Sequence, residues 1–269
     1  MQDTFITRKE IKENYRNKIH AKKCRYRRAV MVLRHRLKAE LSAFGSSPDA
    51  AKKNRAKREV MNPPKRPVLE EIGNAVTHGV GSIFAIFALV MMLLAADNLM
   101  ERISAIVYSS GMFIMFTSSC LYHSFAHGSA VKRLFHRFDY SAIYVLIGAT
   151  FVPVLLCYFG DTFGFLFLII QWLIIVSGIT FVGIFGPKRL SFLHIPLYVV
   201  LGWSALMLLP GMFEGNPQLA MWILAGGVVY TLGIIPFAMK SRASHFIWHF
   251  FVLAGAVTQW IGIYLYLYK

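Results

Sequence analysis

Of the chain's 269 residues, 56% are hydrophobic and 14% aromatic, while only 16% carry a charge. That balance excludes an ordinary soluble domain and points to lipid as the solvent for most of the chain. The formal net charge of +16 is high all the same, and three cysteines are too few for a disulfide scaffold.

Most of that charge stands at the beginning. Residues 1–67 hold 20 Lys and Arg against 6 Asp and Glu. The stretch from Ile6 to Phe44 mixes basic residues with scattered apolar ones and reads as a basic helix. Gly45, Ser46, Ser47, Pro48, Pro63, Pro64 and Pro67 then read as a linker. Two domains are expected, a basic extension over 1–68 and a membrane domain over 69–269. The extension's expected partner is a layer of anionic lipid headgroups, where each Lys or Arg is worth about 1 kcal/mol. No nucleic-acid recognition motif accompanies the charge. Its longest apolar stretch, Ala29 to Leu33, is too short for the core of a signal peptide.

Seven apolar stretches follow, each close to the roughly 20 residues that cross a bilayer. They run approximately over 74–95, 103–126, 139–159, 163–185, 190–209, 218–239 and 243–267. The expected fold is therefore an all-α seven-helix bundle in a cell membrane. Pro153 and Pro236 fall inside the third and sixth spans and predict kinks rather than breaks. The connections alternate in charge: Lys132, Arg133 and Arg137 mark the second, Lys188 and Arg189 the fourth, Lys240 and Arg242 the sixth. With the basic extension, this predicts a cytoplasmic N-terminus and an external C-terminus. Trp260, Tyr264, Tyr266 and Tyr268 then read as an interfacial aromatic belt, and Gly226, Gly227 and Gly233 as points of close helix approach.

On this topology the polar residues within the spans gather at one depth. Ser119 and His123 lie in the last turns of the second span, Asp139 in the first turn of the third, and His245 and His249 in the first turns of the seventh. Residues four apart share a helix face, so His245 and His249 can aim two ring nitrogens at one ion. With His123 they make a three-imidazole donor set for zinc, leaving a fourth position open for water whose pKa falls toward about 7. Asp139 could accept the proton and Ser119 could position water or a carbonyl. Cys24, Cys120 and Cys157 are too dispersed to build a cysteine-rich site.

Plainer readings stand beside these. An intramembrane histidine can simply hydrogen-bond across helices, Asp139 can pair with Arg137 or cap its helix, and Ser119 can bond back to its own helix. Glu70, Asn74 and His78 recur every four residues as a polar stripe, suited to support of the site or to packing, with Glu71 a solvated residue near a helix start. His127 and His136 are expected to face solvent, and His194 is a spare candidate ligand.

The motifs also carry a resemblance. EEIGNAVTHGVG from Glu70, SSCLYH from Ser118, RFDYSAIYVLIGATFVP from Arg137 and HFIWHFFVLAGAV from His245 together resemble the hemolysin III branch of the progestin and adipoQ receptor family. The resemblance implies a seven-helix protein with intramembrane zinc on His123, His245 and His249, with Ser119 and Asp139 at the positions that hold the zinc-bound water. Because alkaline ceramidases belong to the wider superfamily, it also implies an amide or ester hydrolase acting on a lipid, in the setting of membrane lipid homeostasis. Two other readings remain: a receptor-like membrane protein with structural zinc, and a pore-forming hemolysin. The basic extension has no counterpart in short-tailed bacterial members, and Val152-Pro153-Val154 stands where a TPF-like sequence is common.

Overall fold

A computed structural model describes residues 8–44, 62–239, 241 and 243–269. The chain divides into two compact units, residues 1–60 and 61–269. In the first, α1 (Arg8–Phe44) is one helix whose described side chains are almost all exposed. Gly45 to Pro48, Ile6, Lys240 and Arg242 lie outside the described residues.

The second unit is built from helices, with no strand among its described residues, and seven of its helical segments are long and apolar enough to cross a membrane. They are α2 (Val68–Ala95), α3 (Leu99–Ser124), α4 (Ala130–Pro153, continuing as a π-turn over Val154–Phe159) and α5 (Thr162–Phe185). The fifth span joins α6 (Ser191–Trp203), a 3₁₀ turn (Ser204–Met207) and α7 (Leu209–Gly215). Then come α8 (Pro217–Ala238) and α9 (Ser244–Ile263), whose end widens into a second π-turn over Tyr264–Tyr268. Neighbours in sequence pack on one another from α2 to α5, α6 packs on α4 and α8, and α9 closes the ring by packing on both α8 and α2. Outward faces are apolar, as lipid requires: Ile83 and Leu94 on α2, Leu166 and Leu173 on α5 are all exposed.

Side-chain caps set several helix starts. Asn98 Oδ1 accepts the Glu101 N–H at 3.0 Å while the Glu101 carboxylate accepts the Asp97 N–H at 2.7 Å. Ser129, Asp161 and Asn216 cap α4, α5 and α8 in the same manner. The Ser129 cap starts the third span at Ala130, well before the expected residue 139, so Lys132, Arg133 and Arg137 belong to the helix and not to a connection. Asp139 is accordingly well inside α4, where it cannot serve as a cap. The first span likewise begins at Val68, which brings Glu70 and Glu71 into α2.

Prolines act as backbone chemistry demands. After Pro153 the helix carries on, with its next turn loosened to π geometry, and Pro236 is absorbed near the end of α8. The fifth span, expected as one helix, is interrupted instead. Pro210 has no N–H to give and its ring excludes the preceding helical turn, so the chain restarts there as α7.

Two further expectations change. Trp260, Tyr264 and Tyr268 are buried among the helices, Trp260 stacking on Tyr264 with centroids 5.1 Å apart, and Tyr268 donating its hydroxyl to the Glu101 carbonyl at 2.8 Å. Only Tyr266, of that group of four, is an exposed aromatic. Gly226 and Gly233 do sit under residues of α9, whereas Gly227 has open space where a Cβ would stand, because it lines a cavity.

Candidate metal centre

The first turns of α2, α4 and α9 and the last turns of α3 meet at one end of the bundle. His123, His245 and His249 come together there, with one ligating atom from each within 4.8 Å of the others. His245 Nε2 lies 3.2 Å from His249 Nε2. Nitrogens at opposite corners of a tetrahedral zinc stand about 3.3 Å apart, given Zn–N bonds of about 2.0–2.1 Å, and this pair already has that spacing.

Hydrogen bonds fix which nitrogens remain free. His249 Nδ1 lies 3.3 Å from the backbone carbonyl of Asn74, to which it donates, so its Nε2 keeps a lone pair. His123 Nδ1 lies 2.5 Å from Glu71 Oε2 and 3.3 Å from the Asn74 side-chain amide. The shorter contact takes the proton, leaving His123 Nε2 buried with no protein partner. Three buried or half-buried imidazoles turning free nitrogens toward one point would repel one another unless a cation or proton lies between them. The donor set fits a divalent metal.

Glu71 does more than the sequence suggested. Its second oxygen accepts from Lys132 Nζ at 2.9 Å, and Lys132 is itself buried, with the ammonium 4.8 Å from the centre of the Tyr122 ring. A carboxylate that receives the outer N–H of a ligand histidine fixes that ring's tautomer and direction. A paired lysine keeps such a carboxylate in place without leaving a buried charge alone. The useful face of α2 is thus Glu71, Asn74 and His78, spaced by three and four, and not the Glu70, Asn74, His78 stripe. Glu70 instead pairs with Arg66 at 2.9 Å. His78 stacks on His249 with ring centroids 3.7 Å apart, and both its nitrogens lack protein partners.

Asp139 and Ser119 stand together beside this cluster. Both face a cavity of about 310 Å³, as do His78, His245 and His249. The cavity is polar at this end. Ile143, Leu146, Phe151 and Val154 of α4 carry its apolar wall away from the cluster, toward Leu208 and Met212.

The remaining histidines divide. His136, expected in solvent, is buried on α4, stacks on Tyr122 with centroids 5.1 Å apart and lines the cavity. His194 is fully buried but elsewhere, its Nδ1 2.9 Å from the Tyr144 hydroxyl, so it is not a spare ligand. His127 Nε2 meets the Pro63 carbonyl at 3.1 Å. The spacing of Glu71 to Asn74 and His78 was the available signal for Glu71. For Lys132 the local sequence, one basic residue among several, carries none.

A seven-helix membrane protein with an imidazole cluster at one end of its bundle is the class these features define. Among known proteins, the family described as haemolysin-III related matches residues 67–260. A hemolysin-3 homolog of Bacillus subtilis (strain 168) is 34% identical over 207 residues, covering 75% of this chain and 96% of the relative. Hemolysin-3 of Bacillus cereus is 34% identical over 204 residues, 74% of this chain and 92% of the relative. The human monocyte to macrophage differentiation factor is 28% identical over 209 residues, 74% and 85% respectively. The chain belongs to the haemolysin-III related family, the hemolysin III branch of the progestin and adipoQ receptors, and is a multi-pass protein of the cell membrane.

Proposed function

We propose that the protein is a metal-dependent hydrolase that cleaves an amide or ester bond of a membrane lipid. What supports the reading most is one juxtaposition: Asp139 and Ser119 share the polar end of a cavity with His245 and His249, whose rings converge with that of His123, and the same cavity has an apolar wall. His123, His245 and His249 would hold the ion. Zinc, which suits an all-imidazole set, would supply a Lewis acid and an activated water near neutral pH.

The chain's own residues carry the rest. The apolar wall binds the lipid chain and keeps bulk water out, which strengthens every polar interaction at the cluster. Ser119 Oγ, one helical turn before His123, is placed to hydrogen-bond the scissile carbonyl or the attacking water. The Asp139 carboxylate accepts a proton as the new C–O bond forms and returns it to the departing amine or alkoxide. Glu71 holds His123 by its outer nitrogen and Lys132 holds Glu71.

Asp139→Asn tests the assignment. Metal content should stay stoichiometric while hydrolysis of a panel of ceramide, lysophospholipid and phospholipid substrates disappears. Hydrolysis that persists in this variant, or purified protein without bound metal, sinks the reading. A second reading, a ligand-responsive membrane protein with a structural metal, draws on the likeness to the adiponectin receptor protein of Drosophila melanogaster, 25% identical over 228 residues and matched over 50% of its length. It expects metal in the wild-type protein and no turnover of any lipid.

A further inference from the structure

The residues of the Arg8–Phe44 helix are ordered round its axis. At about 100° per residue, Tyr15, Ile19, Tyr26, Leu33, Leu37 and Leu41 fall within an arc of about 80°. Each is more than half exposed. They form one seam over most of the helix, too narrow to bury in a globular core and too long to be chance exposure of scattered residues. Met31 and Val32 lie outside it.

Charge decides what covers the seam. The helix contains 13 Lys and Arg against 3 Glu. By the same angular count, Lys18, Lys22 and Arg36 border one edge of the seam and Arg16, Lys23 and Arg34 the other. Their aliphatic stems can lie along an apolar layer while the charged heads reach outward. A second copy of the helix would bring like charge against like charge, with too few acids to pair across the contact. A surface of negative charge over hydrocarbon answers both features at once.

We propose that α1 lies in the plane of an anionic membrane surface, its Tyr15–Leu41 seam in the acyl boundary and its bordering lysines and arginines at the headgroup phosphates. The arrangement is independent of any hydrolytic activity. It anchors the extension flat, so the helix reports on the negative charge of the leaflet it touches.

Site-directed spin labelling of the full chain tests this, with Cys24, Cys120 and Cys157 replaced by Ser and the protein in lipid nanodiscs. Labels at Tyr26→Cys and Leu33→Cys should be shielded from an aqueous nickel chelate and accessible to oxygen in discs containing phosphatidylglycerol. A label at Arg28→Cys, on the opposite face of the helix, should show the reverse. In discs of phosphatidylcholine alone, or at high salt, the seam labels should become accessible to nickel. Pairing Leu33→Glu with Leu37→Glu should release the Tyr26→Cys label even in anionic discs. Seam labels open to nickel in anionic discs overturn the proposal. Equal shielding in neutral discs also overturns it, and spin–spin broadening that disappears on dilution with unlabelled chain would assign the seam to a second copy instead.

Discussion

Glu71 and His123 stand 52 residues apart in sequence and 2.5 Å apart in space. The carboxylate accepts the N–H of the ring nitrogen facing away from the other two imidazoles, and that single contact turns His123 Nε2 inward. The metal-ready state of the cluster therefore depends on an acid that does not itself belong to the three-histidine set.

Glu71→Gln is expected to weaken metal binding by about 10- to 100-fold, the usual effect of losing a carboxylate behind a ligand histidine. Competition with a chelator of known affinity, followed by metal analysis, reads the change. Affinity equal to that of the wild type would show that His123 is oriented by other contacts.

Lys132→Met removes the cation from a pair in which the lysine is buried and Glu71 is only slightly exposed. Such a break costs roughly 3–5 kcal/mol when the remaining charge is fully buried. Because Glu71 keeps some exposure and still bonds His123, the loss should fall at the low end of that range. Adding Glu71→Gln should restore part of the thermal stability in detergent, since the stranded charge is then gone; a double variant less stable than either single one contradicts the pairing.

Tyr144→Phe should destabilise the protein by about 1–3 kcal/mol, because fully buried His194 loses the hydroxyl at its Nδ1. Metal content is expected to stay unchanged, since His194 stands apart from the cluster. A drop in bound metal would connect the two histidine sites and contradict their separation.

Gly255→Ala and Gly227→Ala form a contrasting pair on facing helices. A Cβ at Gly255 would meet the Tyr230 ring at 2.9 Å, while at Gly227 it would meet nothing within 4 Å. Overpacking of this kind costs about 1–3 kcal/mol, so thermal melting should drop for Gly255→Ala and hold for Gly227→Ala. Equal effects would mean that α8 and α9 adjust freely along their contact.

The seven spans were legible because apolar runs near membrane length carry a signal that local detail cannot erase. The meeting of His123, His245 and His249 was legible too, since alternate crossing directions put their turns at one depth. Starts of helices were harder to read. Ser129 caps α4 before a run of charged residues, and hydropathy discounts such a run even when its first lysine is buried. Glu71 was hidden for a related reason, as the eye follows a period of four from Glu70 while the helix turns Glu71 to the cluster through steps of three and four. The inward packing of Trp260, Tyr264 and Tyr268 depends on where α2 and α3 stand, which no local pattern encodes.

His123 belongs to the second membrane crossing and its two partner imidazoles to the seventh. During synthesis the earlier crossings are therefore made while the cage still lacks two of its three walls, and the ring of helices has its gap where α9 will lie between α8 and α2. Any ion held by all three imidazoles would have to be captured after the seventh crossing is in place, so a chain cut short before His245 could not assemble the three-imidazole set.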